Sequence, residues 1–322
     1  MKSYTNLRDL YGSLTSNKET ANLTYGDQMI NDSIRTIYNM RSGNWWFLEI
    51  IETVLTVASV EYVKVPNNIR KLVAVRVKVD GITYLPTPVF DDDTWNQIVA
   101  SRLAESNIPI FYRRLGNKLY FQPIPNVNDS EVIMYGRVQT PDLNTADYTT
   151  GSIVTATNDS TAIVGTGTTW TASMAGRWIR ITSSDTANKG DGMWYQIESV
   201  GSATTLTLKD PYQGTSIVAG TAAYTIGQMS MIPESYDVAP VYRAAAMYWM
   251  QKDQKKSVMY WKLYDGGLEA GILPPGSEPG GLIGQMLESE SGTVEAAYMP
   301  PLGNEWIDPN NPQQVLATGL NP

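Results

Sequence analysis

Apolar positions recur at helical spacing at both ends of the chain and alternate in between. Near the start, Tyr4, Leu7, Leu10, Tyr11 and Leu14 share one helix face. A polar stretch follows. Thr24 then caps a second predicted helix running to about residue 40, with Met29, Ile30, Ile34, Ile37 and Tyr38 in its stripe. Ser42-Gly43-Asn44 stops it, and the adjacent Trp45 and Trp46 read as core anchors that lock the helix to a sheet.

From Ile50 the period changes to two. Strands are predicted at 53–58, 62–65, 72–79 and 82–85, with Asp80-Gly81 as a hairpin turn. Asp91-Asp92-Asp93 opens a helix to about residue 105, with Trp95, Ile98, Val99 and Leu103 on one face. Strands at 108–112 and 118–122 pair across Leu115-Gly116-Asn117, and 131–138 adds another. Residues 142–150 read as a polar linker into a self-contained β-module, 151–227. Its strands are predicted at 153–156, 161–164, 178–181, 194–200, 205–208 and 223–226, with 190–192 as an exposed loop tip.

Helical spacing then returns. Ser235 is the expected cap of a helix from about residue 236, with Pro240 in its first turn, and a further helix spans about 254–270. Beyond it, Gly and Pro dominate and periodicity is absent. There Leu282, Ile283, Tyr298, Trp306, Ile307, Leu316 and Leu320 read as sparse apolar anchors of a segment that orders against a partner. The expected fold class is α+β. It has a helical layer from 1–48 and 231–272, an antiparallel β-domain with one helix at 49–141, an inserted all-β module (Ig-like or small barrel) at 151–227, and an extended docking tail at 273–322.

Composition narrows the chemistry. The 322 residues include no Cys and no His, which removes thiolate nucleophiles, Cys/His zinc sites and Ser-His-Asp triads. No apolar run approaches the ~20 residues of a membrane span, and the first residues lack an apolar signal core, so neither membrane insertion nor export is expected. The net charge is −8 and uneven: after Lys262 there is no Lys or Arg, only Asp265, Glu269, Glu278, Glu288, Glu290, Glu295, Glu305 and Asp308 among charged residues. Such a chain does not hold nucleic acid by counterion release.

Candidate sites weigh toward structure. The Asp91–Asp93 run fits helix capping better than a cation site, and Gly165-Thr166-Gly167-Thr168-Thr169-Trp170 fits a hairpin turn, lacking the Lys of a phosphate loop. Arg243, Lys252, Lys255 and Lys256 are the densest basic group and suit a solvated helix junction or an acidic partner. No catalytic residue, metal or cofactor is expected, and the protein reads as no enzyme.

The order of parts carries more than any motif. Ile30-Asn31-Asp32-Ser33-Ile34 lies on the second helix and Trp45-Trp46-Phe47-Leu48-Glu49 leads into the first strands. Pro66-Asn67-Asn68-Ile69-Arg70-Lys71-Leu72, the hairpin ending Lys118-Leu119-Tyr120-Phe121, Pro123-Ile124-Pro125 and Ile232-Pro233-Glu234-Ser235-Tyr236 follow. Together they resemble the head-to-tail connector (adaptor) proteins of tailed bacteriophages. The resemblance implies a virion neck protein assembled in the host cytoplasm. It would form a ring, usually of about twelve copies, between the portal and the tail or tail-completion proteins, around a channel that passes genomic DNA without sequence-specific binding. Tyr242, Tyr248, Trp249 and Trp261 are then the expected inter-subunit helix contacts. The competing reading is a receptor- or carbohydrate-binding tail component that stacks sugars on Trp178, Trp194 and Tyr195 of the module.

Overall fold

A computed structural model describes residues 1–101, 103–182, 190–274 and 276–291. The chain divides into two compact units, Met1–Tyr260 and Trp261–Pro322. The described helices are α1 (Tyr4–Leu14), α2 (Thr20–Asn39), α3 (Asp92–Ala100), α4 (Ala239–Trp249), α5 (Gln254–Asp265) and α6 (Gly281–Ser291).

In the first unit, α1, α2 and α4 pack on one another around Leu7, Tyr11, Ile30, Ile37 and the Ala244–Ala246 run, all fully buried. Gly26 lets α2 approach α1: a Cβ there would lie 2.3 Å from the Tyr11 ring. Helix α2 starts four residues before the predicted cap. The cause is tertiary, because the Asn22 amide donates to the Asn17 carbonyl at 2.7 Å and to Thr15 Oγ1 at 3.1 Å, tying the extra turn to the end of α1. Past α2, Trp45 is buried, donates to the Ile37 carbonyl at 2.6 Å and stacks on Phe47 at 5.4 Å. Trp46 is 49% exposed. Only the first of the two indoles is an anchor, since the 3-10 turn Trp46–Leu48 sends Phe47 and Leu48 inward in its place.

Two four-stranded sheets follow. One has the order β1-β8-β3-β4, from β1 (Glu49–Leu55), β3 (Ile69–Val79), β4 (Ile82–Tyr84) and β8 (Glu131–Val138). The other has the order β2-β7-β6-β5, from β2 (Tyr62–Lys64), β5 (Thr87–Pro88), β6 (Phe111–Leu115) and β7 (Lys118–Gln122). Val63, Val75, Val77, Leu119, Phe121, Val132 and Met134 form their core. Strand β1 begins before the predicted 53–58 and ends at Leu55, because the Thr56 hydroxyl binds the Val127 carbonyl and accepts from the Ser130 N–H, closing the ladder. Helix α3 is capped as expected, with Asp91 Oδ2 accepting from the Thr94 N–H at 2.6 Å. It stops at Ala100, and of its expected face only Trp95 is buried, while Val99 and Leu103 are exposed.

The inserted module forms one six-stranded antiparallel sheet. Its strands are β9 (Ser152–Ala156), β10 (Ala162–Thr166), β11 (Trp178–Ile181), β12 (Trp194–Ser202), β13 (Thr205–Leu208) and β14 (Tyr224–Gly227), in the order β14-β11-β12-β13-β10-β9. Bridges from Ile153 to Ala222 and from Ala156 to Ile217 lay the segment before β14 beside β9, so the sheet curls round a core that includes Trp170, Ile179, Tyr195, Leu206 and Ile226. The result is a single curled, half-barrel sheet. Gly190 is not an exposed tip. It is buried, and a Cβ there would sit 2.2 Å from the Ile181 carbonyl oxygen.

On the return, a 3-10 turn at Glu234–Tyr236 delays α4 to Ala239; Ser235 is exposed and does not cap it, whereas Pro240 sits in the first turn as expected. Helix α5 stops at Asp265, short of 270. The Asp265 carboxylate accepts from the N–H groups of Gly267, Leu268 and Glu269 at 2.8, 3.1 and 2.7 Å and turns the chain. The tail is not uniformly extended, because α6 forms within it. Ile283 and Met286 are buried there and Leu282 is half-buried. A three-turn amphipathic segment between Gly-rich stretches is too short to shift a composition-based reading. Tyr298, Trp306, Ile307, Leu316 and Leu320 lie outside the described residues.

Chemical denaturation should show Trp45→Ala losing about 3–5 kcal/mol and Trp46→Ala staying within about 1 kcal/mol. Burial pushes the phenols of Tyr4, Tyr38 and Tyr195 up to about 12 from 10.0. Their neutral forms therefore stabilise the fold fully below pH 10.0, and that stabilisation is lost as pH rises through about 12. A melting temperature unchanged between pH 9 and about 12 would contradict this.

Candidate assembly surfaces

The stretch read as a linker is a bonded root that orients the module. Leu143 is buried, and its N–H and carbonyl pair with the Asn31 side chain on α2 at 2.8 and 2.9 Å. Arg35 forms an ion pair with Asp142. From the returning strand, Gln228 accepts from the N–H groups of Asn144 and Thr145 at 2.8 and 3.0 Å and donates to the Asp142 carbonyl at 2.8 Å. The N-terminal arm joins the same root: Ser3 Oγ donates to Asp147 at 2.6 Å, and the Tyr4 N–H to the Gln228 carbonyl at 2.8 Å. The bonding roles of Asn31 and Gln228 are not visible in the sequence, since single polar side chains leave no periodic signal.

The helical aromatics expected at subunit contacts fall into two groups. Tyr242, Tyr248 and Trp249 are half-buried on α4, each with a partner in the same chain. Tyr242 stacks with Tyr260 at 6.3 Å, Tyr248 meets Tyr11 edge-on at 6.2 Å, and the Trp249 N–H donates to the Leu14 carbonyl at 3.2 Å. Trp261 is 3% exposed and belongs to the core of its own copy. Arg243 is also inward, with its guanidinium 2.9 Å from Asp32 Oδ2, so it is separated from Lys252, Lys255 and Lys256, which are exposed.

The β-domain presents the larger apolar surface. Phe90 is 89% exposed, Leu85 72% and Ile51 62%. Ile51 and Leu55 lie on the outer face of edge strand β1, with Ile51 opposite Tyr135, whose ring carries the Arg76 guanidinium at 4.8 Å. Phe90 precedes the Asp91 cap, where a residue of this type commonly folds onto the fourth helical position. Here that partner, Trp95, is buried without it. Phe90 is thus a large apolar side chain held in water just after edge strand β5, a candidate for an interaction surface.

Residues weighed for chemistry have structural places. Asp91 caps, Asp92 pairs with Arg113, and burial is absent at both. Hydrogen bonds from Thr94 hold the Asp91 carboxyl below the usual carboxylate range. Among the described residues there is no group of three or more Asp, Glu, His or Cys able to hold a metal, and no helix is long and apolar enough to cross a membrane. In the module, Tyr195 is buried, Trp194 donates to the Met1 carbonyl at 3.1 Å, and Trp178 is half-buried. Tyr195 thus belongs to the module core, and the Trp194 indole is engaged by the N-terminal arm.

A family model described as SU10 adaptor protein matches residues 4–164. The match covers half of the chain: α1, α2, the whole β-domain and the start of the module. No curated protein matches the chain.

Phe90→Ser and Leu85→Ser should each leave unfolding within about 0.5 kcal/mol of the parent, because both side chains are already in water. Sedimentation should show weaker self-association in both. Unchanged association would remove this face from the assembly surfaces.

Proposed function

Because the chain belongs to the SU10 adaptor protein family, and is thus a phage structural adaptor, we propose that it builds the ring joining portal to tail in the virion neck. The observation that carries this reading is the family match across α1, α2 and the β-domain together. About twelve copies would stand side by side, each presenting one face to its neighbour's other face, as a closed heterologous ring requires. The exposed Ile51, Leu85 and Phe90 supply apolar contact area, and Tyr242, Tyr248 and Trp249 add a rigid aromatic edge on α4.

The channel reading rests on charge. A net −8, with no cation after Lys262, suits a lumen in which phosphates slide and do not stick. Portal and tail contacts fall to the projecting parts. The segment after Ser291, with Tyr298, Trp306, Ile307, Leu316 and Leu320, is proposed as the arm that docks on a partner.

Particles assembled from purified protein and portal should show a closed ring of fixed rotational symmetry by electron microscopy. A lone copy on the portal would overturn the reading. Truncation is best placed after Ser291, because α6 buries Ile283 and Met286. The shortened chain should keep its melting temperature and fail to form the ring on portals. Normal assembly would end the docking role of the tail.

A further inference from the structure

Lys252, Lys255 and Lys256 are gathered at one corner of the first unit. After Arg243 come only Lys252, Lys255, Lys256 and Lys262, and after these the charged residues are all acidic. Lys252 and Lys256 are held over aromatic rings of α4. Lys252 Nζ lies 4.0 Å from the Tyr248 ring centroid and donates to its hydroxyl at 2.7 Å. Lys256 Nζ lies 4.0 Å from the Trp249 ring centroid. The two rings meet edge to face at 5.1 Å, and the Trp249 bond to the Leu14 carbonyl anchors them to α1.

Among the described residues, none of Lys252, Lys255 and Lys256 forms an ion pair with a carboxylate. The adjacent acid, Asp253, is engaged in accepting from the Lys255 and Lys256 N–H groups at the start of α5. Met250 is 57% exposed and Met259 47% on the same corner. The surface is therefore cationic and apolar at once. Its cations are already ordered over rings, which lowers the entropy lost on binding.

We infer that this corner receives the segment 292–322 of a second copy of the chain, a contact that rests on the adaptor reading above. That segment has no Lys or Arg, and it sets Trp306 and Ile307 between Glu305 and Asp308. Its carboxylates match the unneutralised ammonium groups, and its indole and isoleucine match the methionines and ring edges. Corner and tail are different surfaces, so the contact is head-to-tail. Repeated round an axis it closes a ring, with each copy held by the tail of the next.

The test uses the full chain in low-salt sedimentation. The parent should self-associate, more weakly as salt is added. Lys252→Glu with Lys256→Glu should weaken association about tenfold or more, and Glu305→Lys with Asp308→Lys should do the same. All four changes together should restore it to within about threefold, a recovery that simple damage to the fold does not give. Reversals without effect, or no recovery in the fourfold variant, overturn the contact. So does a monomeric parent whose tail crosslinks to its own corner. If every variant still forms the same ring on portals, this contact fails and the adaptor reading stands. If even the parent forms no ring with portal present, the adaptor reading itself fails.

Discussion

The rest of the structure depends on the reunion of the chain at the root of the inserted module. Tyr148 and Ile226 exchange backbone hydrogen bonds at 2.8 Å, and the Gln228 amide ties the outgoing and returning strands together. A flexible insertion of this length would add loop-closure entropy to every contact beyond it. A folded module whose two ends already meet removes that cost. The Met231 N–H can then reach the Tyr38 hydroxyl at 2.8 Å across 193 residues, and α4 can lay its alanine run on α2. Each of these bonds contributes only about 1 kcal/mol net, but together they decide which helices can form one layer.

With that layer closed, a few of its polar side chains are turned inward. Arg243 meets Asp32, Asn31 meets Leu143, and Asn22 holds the first turn of α2. Two features of its outer surface suit contacts: apolar side chains exposed on the β-domain, and lysines poised over α4 rings. Neither resembles a reaction centre, where titratable groups converge with shifted protonation. Both are properties of a protein that works through its contacts, in keeping with a phage structural adaptor.

Much of the fold was legible from residue patterns. The six module strands were readable because alternation and turn residues agree at each one, and the Asp91 cap and Pro240 because their chemistry is local. The misses share a cause. Thr24 is a reasonable cap until Asn22 reaches Asn17, and 53–58 is a reasonable strand until Thr56 bonds across to Val127 and Ser130. Strand β5, two residues long and parallel to β6, has too few positions to show a period. Gly190 looked like a tip because a glycine's burial is set by what lies against it, here Ile181. The assembly surfaces were half visible: the α4 aromatics show in the helical spacing, but the exposure of Phe90 and Leu85 and the bonds of Asn31 and Gln228 do not.

By itself the sequence determined the order of helical and alternating segments, the absence of thiol and imidazole chemistry, and the acidic, cation-free end of the chain. These follow from local periodicity and from counting, which need no knowledge of neighbours. Tertiary structure alone decided which of Trp45 and Trp46 is buried, that Trp261 belongs to the core while Phe90 stands in water, and that residues 142–148 are a bonded root. Burial and hydrogen-bond partnership are relations between residues distant along the chain, and such relations exist only once entropy has been lost to bring those residues together.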